Sequence, residues 1–301
     1  MEIHSCAIAG AGALGTMYAR EITRRLGKEA AVIITDPARK EKYEKNGVFA
    51  NGEPCDFLYD DGRSGRKPAD LIIFAVKYGG LAQAMEEAAR LVGPETILLS
   101  VMNGITSEDR LAAVFGDRNV LLCTAQGMDA TRHGNDTEYT HVGNLWFGAR
   151  REGQEAACEA VGEFFLRAGI DFELADDMPL RLWRKLMMNV GINQATAVFE
   201  TGYGGVKHPG EARDVMVAAM EETRAVAVAE GVPLTEDDIA FWLDLTNRFA
   251  DEGMPSMRQD LLAGRKTEVD LFAGTIRQLG DKHGIPTPVN DLLYKLIKGK
   301  E

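Results

Sequence analysis

Lys185, Asn189 and Asn193 are spaced four residues apart within an otherwise apolar stretch of the sequence. In an α-helix this spacing places the three side chains near one stripe of the helix surface. An ammonium group and two carboxamides are costly to bury unless hydrogen-bond partners satisfy them. A polar ligand that bears a carbonyl, hydroxyl or carboxylate group would supply such partners. The alternative is a lysine that extends to solvent beside two asparagines bonded to nearby backbone.

A glycine-rich turn near the amino end of the sequence is the second feature that could bind a ligand. It comprises Gly10, Ala11, Gly12, Ala13, Leu14 and Gly15, between an apolar run at residues 3–9 and a helical pattern at residues 16–26. In a dinucleotide-binding fold, the first glycine makes the tight turn, the second lets the backbone approach the pyrophosphate, and the third allows close helix–sheet packing. The helix N-terminus stabilises the phosphate charge. We therefore predict dinucleotide binding by these six residues; the alternative is a turn needed only for packing.

Asp36 ends the second predicted strand, at residues 31–35. A carboxylate at this point can bind the adenosine ribose 2′-hydroxyl group and would repel a 2′-phosphate, which favours NAD over NADP. However, Asp36-Pro37 is also typical of an N-cap followed by the first residue of a helix. Arg39 and Lys40 are close enough to bind a 2′-phosphate instead. The predicted cofactor is therefore NAD or NADP, with Asp36 favouring NAD.

Lys77 and Asn103-Gly104 follow the apolar runs at residues 71–76 and 97–102. Ligands of open α/β sheets gather at the carboxyl ends of strands, so we expect both positions to meet the cofactor or the substrate. The alternatives are a solvated strand end for Lys77 and a simple turn for Asn103-Gly104.

The order of the predicted elements indicates two domains. Short apolar runs alternate with helical patterns through the first half of the chain, which is typical of parallel βαβ units. From about Met178 onward the strand-like runs disappear and long helices take over, one of them opened by a capping box at Thr235 and Asp238. We predict an α/β fold, with a Rossmann-type dinucleotide-binding domain at residues 1–176 and an all-helical domain for substrate binding and dimerisation at residues 177–301.

Composition excludes several classes of function. The net charge of −12 over 301 residues argues against a general binder of nucleic acid or anionic membranes, since both need a basic face. An anionic substrate would need local cations to hold it. The four cysteines and five histidines show no metal-ligand spacing, so we expect reduced thiols and no metal site, with His133 and His141 at the surface. Without a signal-peptide pattern or an apolar run of ~18 residues, we expect a soluble, cytoplasmic protein.

Taken together, these motifs resemble the ketopantoate reductase (2-dehydropantoate 2-reductase) family. The resemblance covers essentially the whole chain and also rests on the stretches Leu182-Trp183-Arg184-Lys185-Leu186, Ser256-Met257 and Thr267-Glu268-Val269-Asp270. It implies a Rossmann-type domain, a helical domain, and an active site in the cleft between them. It also implies that a nicotinamide cofactor reduces the 2-keto acid ketopantoate to pantoate, a step of pantothenate and coenzyme A biosynthesis.

The resemblance implies roles for individual residues. Lys185 would be the general acid that protonates the carbonyl oxygen, and Glu268 would orient this lysine or contact the cofactor and the substrate hydroxyl. The other expected contacts are Asn189 and Asn193 with substrate oxygens, Ser256 with the substrate carboxylate, and Lys77 and Asn103 with cofactor and substrate. As alternatives, Ser256 with Gln259 and Thr267 with Asp270 match capping boxes and could simply start helices.

Two departures from the family pattern leave questions open. Members often carry an arginine for the 2′-phosphate of NADP where this chain has Asp36, and some have substrate-binding asparagines near the positions of Tyr203 and Gly253. The first departure leaves the cofactor open and the second leaves the keto acid open. The alternatives are a reductase of a different 2-keto acid and a non-catalytic NAD(P)-binding sensor. We expect a homodimer, although the apolar helix at residues 215–228 would serve equally as core or interface.

Overall fold

Twelve short strands lie in the amino-terminal part of the chain, in a computed structural model that describes residues 2–301. They are β1 (Cys6–Ala9), β2 (Ala31–Ile34), β3 (Phe49–Ala50), β4 (Glu53–Pro54), β5 (Leu58–Asp60), β6 (Leu71–Phe74), β7 (Ile97–Ser100), β8 (Leu122–Gln126), β9 (Thr131–His133), β10 (Asp136–Glu138), β11 (Asn144–Gly148) and β12 (Phe172–Leu174). The chain divides into two units, Met1–Met178 and Pro179–Glu301. All strands belong to the first unit.

The main sheet of the first unit is parallel and has the strand order β5-β2-β1-β6-β7. Ala9 at the end of β1 pairs with Ile34 on one side and with Phe74 on the other. The chain order reverses between β1 and β6, and open α/β sheets bind ligands at the carboxyl ends of strands beside such a reversal. The predicted Rossmann-type sheet is therefore confirmed.

Helices cover both faces of this sheet. They are α1 (Ala13–Leu26), α2 (Pro37–Asn46), α3 (Leu81–Ala88), α4 (Ser107–Phe115) and α5 (Glu155–Ala168). Because side chains alternate along a strand, Ile8 packs in one core with α1 and α5, whereas its neighbours Ala7 and Ala9 pack in another with α3 and α4. Burial on both faces explains why these strands are continuous apolar runs rather than alternating ones.

Two smaller sheets complete the first unit, with the orders β4-β3-β10-β9 and β12-β11-β8. The apolar runs at residues 120–124 and 142–147 predict strands where β8 and β11 lie, but no such run predicts the strands of the four-stranded sheet. Those strands have two or three residues each and mix polar with apolar side chains, so they lack the run that identifies a strand in a sequence. Both His133 and His141 are exposed, as predicted.

All the regular secondary structure described for the second unit is helical. Its helices are α6 (Met178–Met188), α7 (Gln194–Val198), α8 (Gly204–Lys207), α9 (Glu211–Ala229), α10 (Glu236–Thr246), α11 (Ser256–Leu262), α12 (Thr275–His283) and α13 (Pro288–Lys300). The predicted capping box of Thr235 and Asp238 opens α10. Among residues 2–301, no helix is both long enough and apolar enough to cross a membrane.

Two π-helical segments interrupt the regular helices that the sequence pattern predicts at residues 181–199 and 267–283. They are Asn189–Asn193, between α6 and α7, and Asp270–Gly274, before α12. The expectation of uninterrupted helices is wrong because packing between elements, which periodicity does not record, sets the local geometry. In the first segment an added Cβ at Gly191 would lie 2.5 Å from Met220 Cε and 3.1 Å from the Met216 carbonyl oxygen of α9. Glycine therefore lets the wider turn approach α9 closely.

Replacing Gly191 by alanine is expected to lower the free energy of unfolding by about 1–3 kcal/mol, because the added methyl group overlaps the Met220 side chain and crowds the backbone of α9. Denaturant unfolding would measure the change. A matched control is Gly299→Ala in α13, where an added Cβ meets no atom within 4 Å and the substitution should be neutral or stabilising. Equal stability of the two variants would contradict the close packing of the first π-helical segment.

Candidate active site

The glycine turn between β1 and α1 is held by two glycines that the fold itself requires. Gly10 has a φ of +108°, and an added Cβ there would lie 2.5 Å from Val76 Cγ1. At Gly15 an added Cβ would lie 1.8 Å from the carbonyl oxygen of Gly10. Both positions therefore exclude other residues for reasons of backbone conformation and packing.

Gly12 is different because neither conformation nor internal packing requires a glycine there. Its φ is −78°, and an added Cβ would meet only the Ala75 carbonyl oxygen, at an ordinary contact distance of 3.7 Å. Gly12 is also the N-cap of α1, whose first turn carries no acidic residue. A side chain at this position would stand in the way of a ligand at the helix N-terminus. These features fit the pyrophosphate of a dinucleotide, which binds unpaired helix N–H groups at close range.

Asp36, Lys77 and Asn103 follow β2, β6 and β7, at the same edge of the sheet as the glycine turn. Backbone pairing continues beyond the strands, since Ala75 N–H donates to the Ala9 carbonyl at 2.9 Å and Val101 N–H to the Phe74 carbonyl at 3.0 Å. The fold therefore brings the predicted cofactor-binding residues of this unit to one edge. Their individual roles stay predictions.

Asp36 acts as the N-cap of α2. Its Oδ1 accepts a hydrogen bond from the Arg39 backbone N–H at 2.7 Å, and its Oδ2 lies 3.3 Å from Arg39 Nε. The N-cap alternative is thus confirmed, but capping uses one carboxylate oxygen and does not by itself exclude a contact with ribose. Lys40 pairs instead with Asp61 at 3.5 Å, which lowers its availability for a 2′-phosphate.

In the second unit, Lys185 lies half-buried in α6, and Asn189 and Asn193 are the first and last residues of the π-helical segment that follows. Both asparagines are 5% exposed. Asn193 Nδ2 donates to Asn189 Oδ1 at 3.0 Å, whereas Asn189 Nδ2 is buried without a hydrogen-bond partner. The two asparagine side chains therefore bond to each other, whereas the alternative interpretation from the sequence expected them to bond to nearby backbone. The unpaired amide needs an acceptor, and a ligand oxygen would satisfy it.

Ser256 and Glu268 come from elements that pack against this same π-helical segment. Ser256 is the first residue of α11, which contacts the segment and α7. Glu268 lies two residues before the second π-helical segment, which contacts the first. The five residues predicted for this unit thus come from elements that meet around Asn189–Asn193.

Neither of the two alternative capping boxes forms. Pro255, not Ser256, is the N-cap of α11, and no side chain caps that helix. Thr267 Oγ1 donates to Glu301 at 2.7 Å, while Asp270 accepts from Tyr294 Oη at 2.8 Å and from Lys298 at 2.9 Å. Thr267 Oγ1 does accept the Val269 backbone N–H at 3.2 Å, but neither position forms the reciprocal pair of bonds that defines a capping box.

Tyr203 and Gly253, the two positions that depart from the family pattern, are in contact with each other. The Tyr203 N–H donates to the Gly253 carbonyl at 2.9 Å, and an added Cβ at Gly253 would lie 2.9 Å from Tyr203 Cδ2. The Tyr203 ring also lies 4.7 Å from that of Phe249, between centroids. The two departures are therefore coupled, because the tyrosine ring fills the space that a side chain at position 253 would need.

Two residues of the first unit form contacts that the sequence does not predict. Glu108, in the first turn of α4, is 2% exposed and accepts a hydrogen bond from Ser107 Oγ at 2.8 Å. From the sequence alone it resembles an ordinary acidic residue at a helix N-terminus. Arg132, in β9, donates to the Ala11 carbonyl within the glycine turn, 121 positions away in the chain. Contacts so distant leave no local pattern.

Two models of one protein family match the chain. The model described as ketopantoate reductase PanE/ApbA matches residues 6–152, and the model described as ketopantoate reductase PanE/ApbA C terminal matches residues 177–301. A 2-dehydropantoate 2-reductase of Streptococcus pyogenes is 24% identical over 298 residues, which cover 98% of this chain and 97% of that protein.

Solved structures are also similar. A PanE/ApbA family ketopantoate reductase from Ralstonia eutropha is 27% identical, with a TM-score of 0.83 and 98% of both chains covered. A D-mandelate dehydrogenase, solved with NADH and anilino(oxo)acetate, is 23% identical, with a TM-score of 0.88 and 98% of both chains covered. At that identity the second likeness concerns the fold alone.

The stability of the protein is expected to fall as the pH rises through about 7, because burial raises the pKa of Glu108 to about 7 from an ordinary value of 4.5. The folded state then holds this proton more tightly than the unfolded state, so the contribution is present below pH 4.5 and is lost above the folded pKa. Between pH ~5 and ~8, the wild type should lose about 2–3 kcal/mol of unfolding free energy relative to Glu108→Gln.

Denaturant unfolding at the two pH values measures this difference. Glu86→Gln, which replaces an exposed glutamate of α3, is the matched control and should follow the wild type. If the unfolding free energies of the wild type and Glu108→Gln differ by the same amount at both pH values, the predicted titration of this buried carboxyl group is refuted.

Proposed function

Because the chain belongs to the ketopantoate reductase PanE/ApbA family, we propose that it reduces ketopantoate to pantoate with a nicotinamide dinucleotide. The family and its named relatives support an oxidoreductase that acts on a 2-keto acid. One observation carries the proposal for this chain: a buried carboxamide pair with one unpaired N–H donor directly follows the helix that bears Lys185. A substrate with several oxygen atoms suits such a donor set.

Reduction of a 2-keto group needs a hydride at carbon and a proton at oxygen. A bound nicotinamide cofactor would supply the hydride. In the proposal, the Lys185 ammonium group stabilises the negative charge that develops on the carbonyl oxygen and then donates its proton there. Asn189 donates its unpaired N–H to a substrate oxygen, with Asn193 holding its carboxamide in place. Ser256 binds the substrate carboxylate, and Glu268 orients Lys185 or accepts from the substrate hydroxyl.

The proposed dinucleotide site is the carboxyl edge of the main sheet. Gly12 and the N-terminus of α1 would hold the pyrophosphate, and Lys77 and Asn103 would contact the cofactor or substrate. We propose a preference for NADH, because Asp36 brings a carboxylate to the end of β2, where the adenosine ribose binds. The capping bond to Arg39 N–H leaves the second carboxylate oxygen for a ribose hydroxyl, with Arg39 as its present ion-pair partner.

A related reductase of a different 2-keto acid is the second candidate function. The contact of Tyr203 with Gly253 and Phe249 favours it, because an aromatic surface there would suit an apolar substituent rather than a hydroxyl group. D-mandelate dehydrogenase, of similar fold, is named for an aryl 2-hydroxy acid.

A non-catalytic sensor would leave Lys185 without a chemical role. The homodimer also stays a prediction.

Lys185→Ala is expected to lower kcat/KM for ketopantoate by about 10²–10⁴-fold, because the variant lacks the proton donor. The loss of reduced-cofactor absorbance on addition of ketopantoate measures the rate. Lys282→Ala, which removes a surface lysine paired with Glu230, is the control and should retain wild-type activity.

The same assay with phenylglyoxylate separates the two candidate functions. Turnover of this aryl keto acid in preference to ketopantoate would favour the second candidate. If the wild type binds reduced cofactor but reduces neither acid, both candidate reductase functions are excluded and a sensor is favoured.

Asp36→Ser tests the cofactor preference, since serine keeps an N-cap for α2 but removes the negative charge. We expect the Kd for NADPH to fall by about tenfold and the Kd for NADH to rise, because the 2′-phosphate no longer meets a carboxylate and the ribose hydroxyl loses its acceptor. Fluorescence titration with each reduced cofactor measures both constants. Asp56→Ser, at an exposed carboxylate paired with Lys28, is the control. An unchanged ratio of the two constants would exclude Asp36 from the choice of cofactor.

A further inference from the structure

Arg132 reaches from the hairpin of β9 and β10 to the glycine turn. Its Nη1 donates to the Ala11 carbonyl oxygen and lies 3.2 Å from Thr16 Oγ1, in the first turns of α1. Its Nε donates to the Gly134 carbonyl oxygen at 2.9 Å, which fixes the guanidinium group from the side of the hairpin. Arg132 therefore joins the tip of the hairpin to the turn and the helix at once.

The bond from Arg132 sets the orientation of the peptide between Ala11 and Gly12. In a trans peptide the C=O and N–H groups point in opposite directions. With the Ala11 carbonyl directed at Arg132, the Gly12 N–H must point the other way. In the reverse orientation, the carbonyl oxygen would take the place of that N–H and repel an anion at the turn.

The charge of Arg132 is not neutralised within the part of the chain that the structure describes. It forms no ion pair with a carboxylate among residues 2–301. Other arginines of this unit do, for instance Arg90 with Asp60 at 2.8 Å and Arg150 with Asp117 at 2.5 Å. In a chain of net charge −12, an unpaired guanidinium beside the turn is the local cation that an anionic ligand requires.

We propose that Arg132 is a positioning residue for the diphosphate of the dinucleotide. It holds the Ala11–Gly12 peptide with its N–H available to a phosphate oxygen and adds an uncompensated positive charge at the turn. The inference rests on the proposed function only in taking the ligand to be a dinucleotide. It does not depend on which keto acid is reduced, or on Lys185.

Ligand binding to Arg132→Met and Arg132→Lys tests the inference. Titration calorimetry with NADH and ADP-ribose, which carry the diphosphate, and competition with adenosine, which lacks it, give the constants. Arg132→Met should raise the Kd for NADH and ADP-ribose by about tenfold or more and leave that for adenosine unchanged, because one charge-assisted interaction and the peptide orientation are lost. Arg132→Lys should recover part of the affinity. The control, Arg118→Met, replaces an exposed arginine paired with Glu95 and should bind all three as the wild type does.

Several outcomes would overturn the proposal. An unchanged Kd for NADH in Arg132→Met, or an equal loss for adenosine, would show that Arg132 does not act on the diphosphate. If Arg132→Met fails to fold, Arg132→Gln keeps a donor for the Ala11 carbonyl without the charge and should still weaken NADH more than adenosine. A wild type that binds neither diphosphate ligand would refute the dinucleotide site itself, whereas binding without keto-acid reduction would refute only the proposed reaction.

Discussion

The turn between β1 and α1 can close because Gly10 and Gly15 carry no side chains. A Cβ atom at Gly15 would overlap the carbonyl oxygen of Gly10, 1.8 Å away. This contact brings the first turn of α1 onto the carboxyl end of β1 and leaves its unpaired N–H groups at the edge of the sheet where the chain order reverses. Every contact proposed for a dinucleotide depends on it. Arg132 bonds to the Ala11 carbonyl between these two glycines and, in our proposal, holds the Ala11–Gly12 peptide in its orientation.

The helical unit is governed by a different constraint, the burial of polar side chains among apolar ones. The carboxamides of Asn189 and Asn193 share one hydrogen bond, which satisfies part of their hydrogen-bonding capacity. The segment that contains them is π-helical rather than α-helical. Such π-helical turns are frequent at functional sites, where they direct side chains that a regular helix would place elsewhere. Gly191 makes this geometry compatible with a close approach to α9. One amide N–H is left unpaired, and a ligand would satisfy it at no further cost in protein packing.

Local charge matters more than net charge for an anionic ligand. The net charge of −12 counts carboxylates all along the chain, and salt screens the exposed ones that lie more than ~10 Å from a given site. At the glycine turn, α1 begins without an acidic residue and Arg132 is not paired with one. Tyr203 and Gly253, by contrast, meet through neutral packing and are matched in shape. A change at either position would need a compensating change at the other.

Much of the fold follows from patterns within a few residues. Apolar runs identify the main strands, and the glycine turn locates the start of α1, because burial and backbone sterics act locally along the chain. The spacing of Lys185, Asn189 and Asn193 predicts a polar stripe on a helix, and the resemblance to a family gives these residues their expected roles. Tertiary structure alone decides the rest. The short strands β9 and β10, the π-helical segments and the contacts of Arg132 and Tyr203 depend on partners far away in sequence, and the energies that determine them come from packing and hydrogen bonds that no local spacing records.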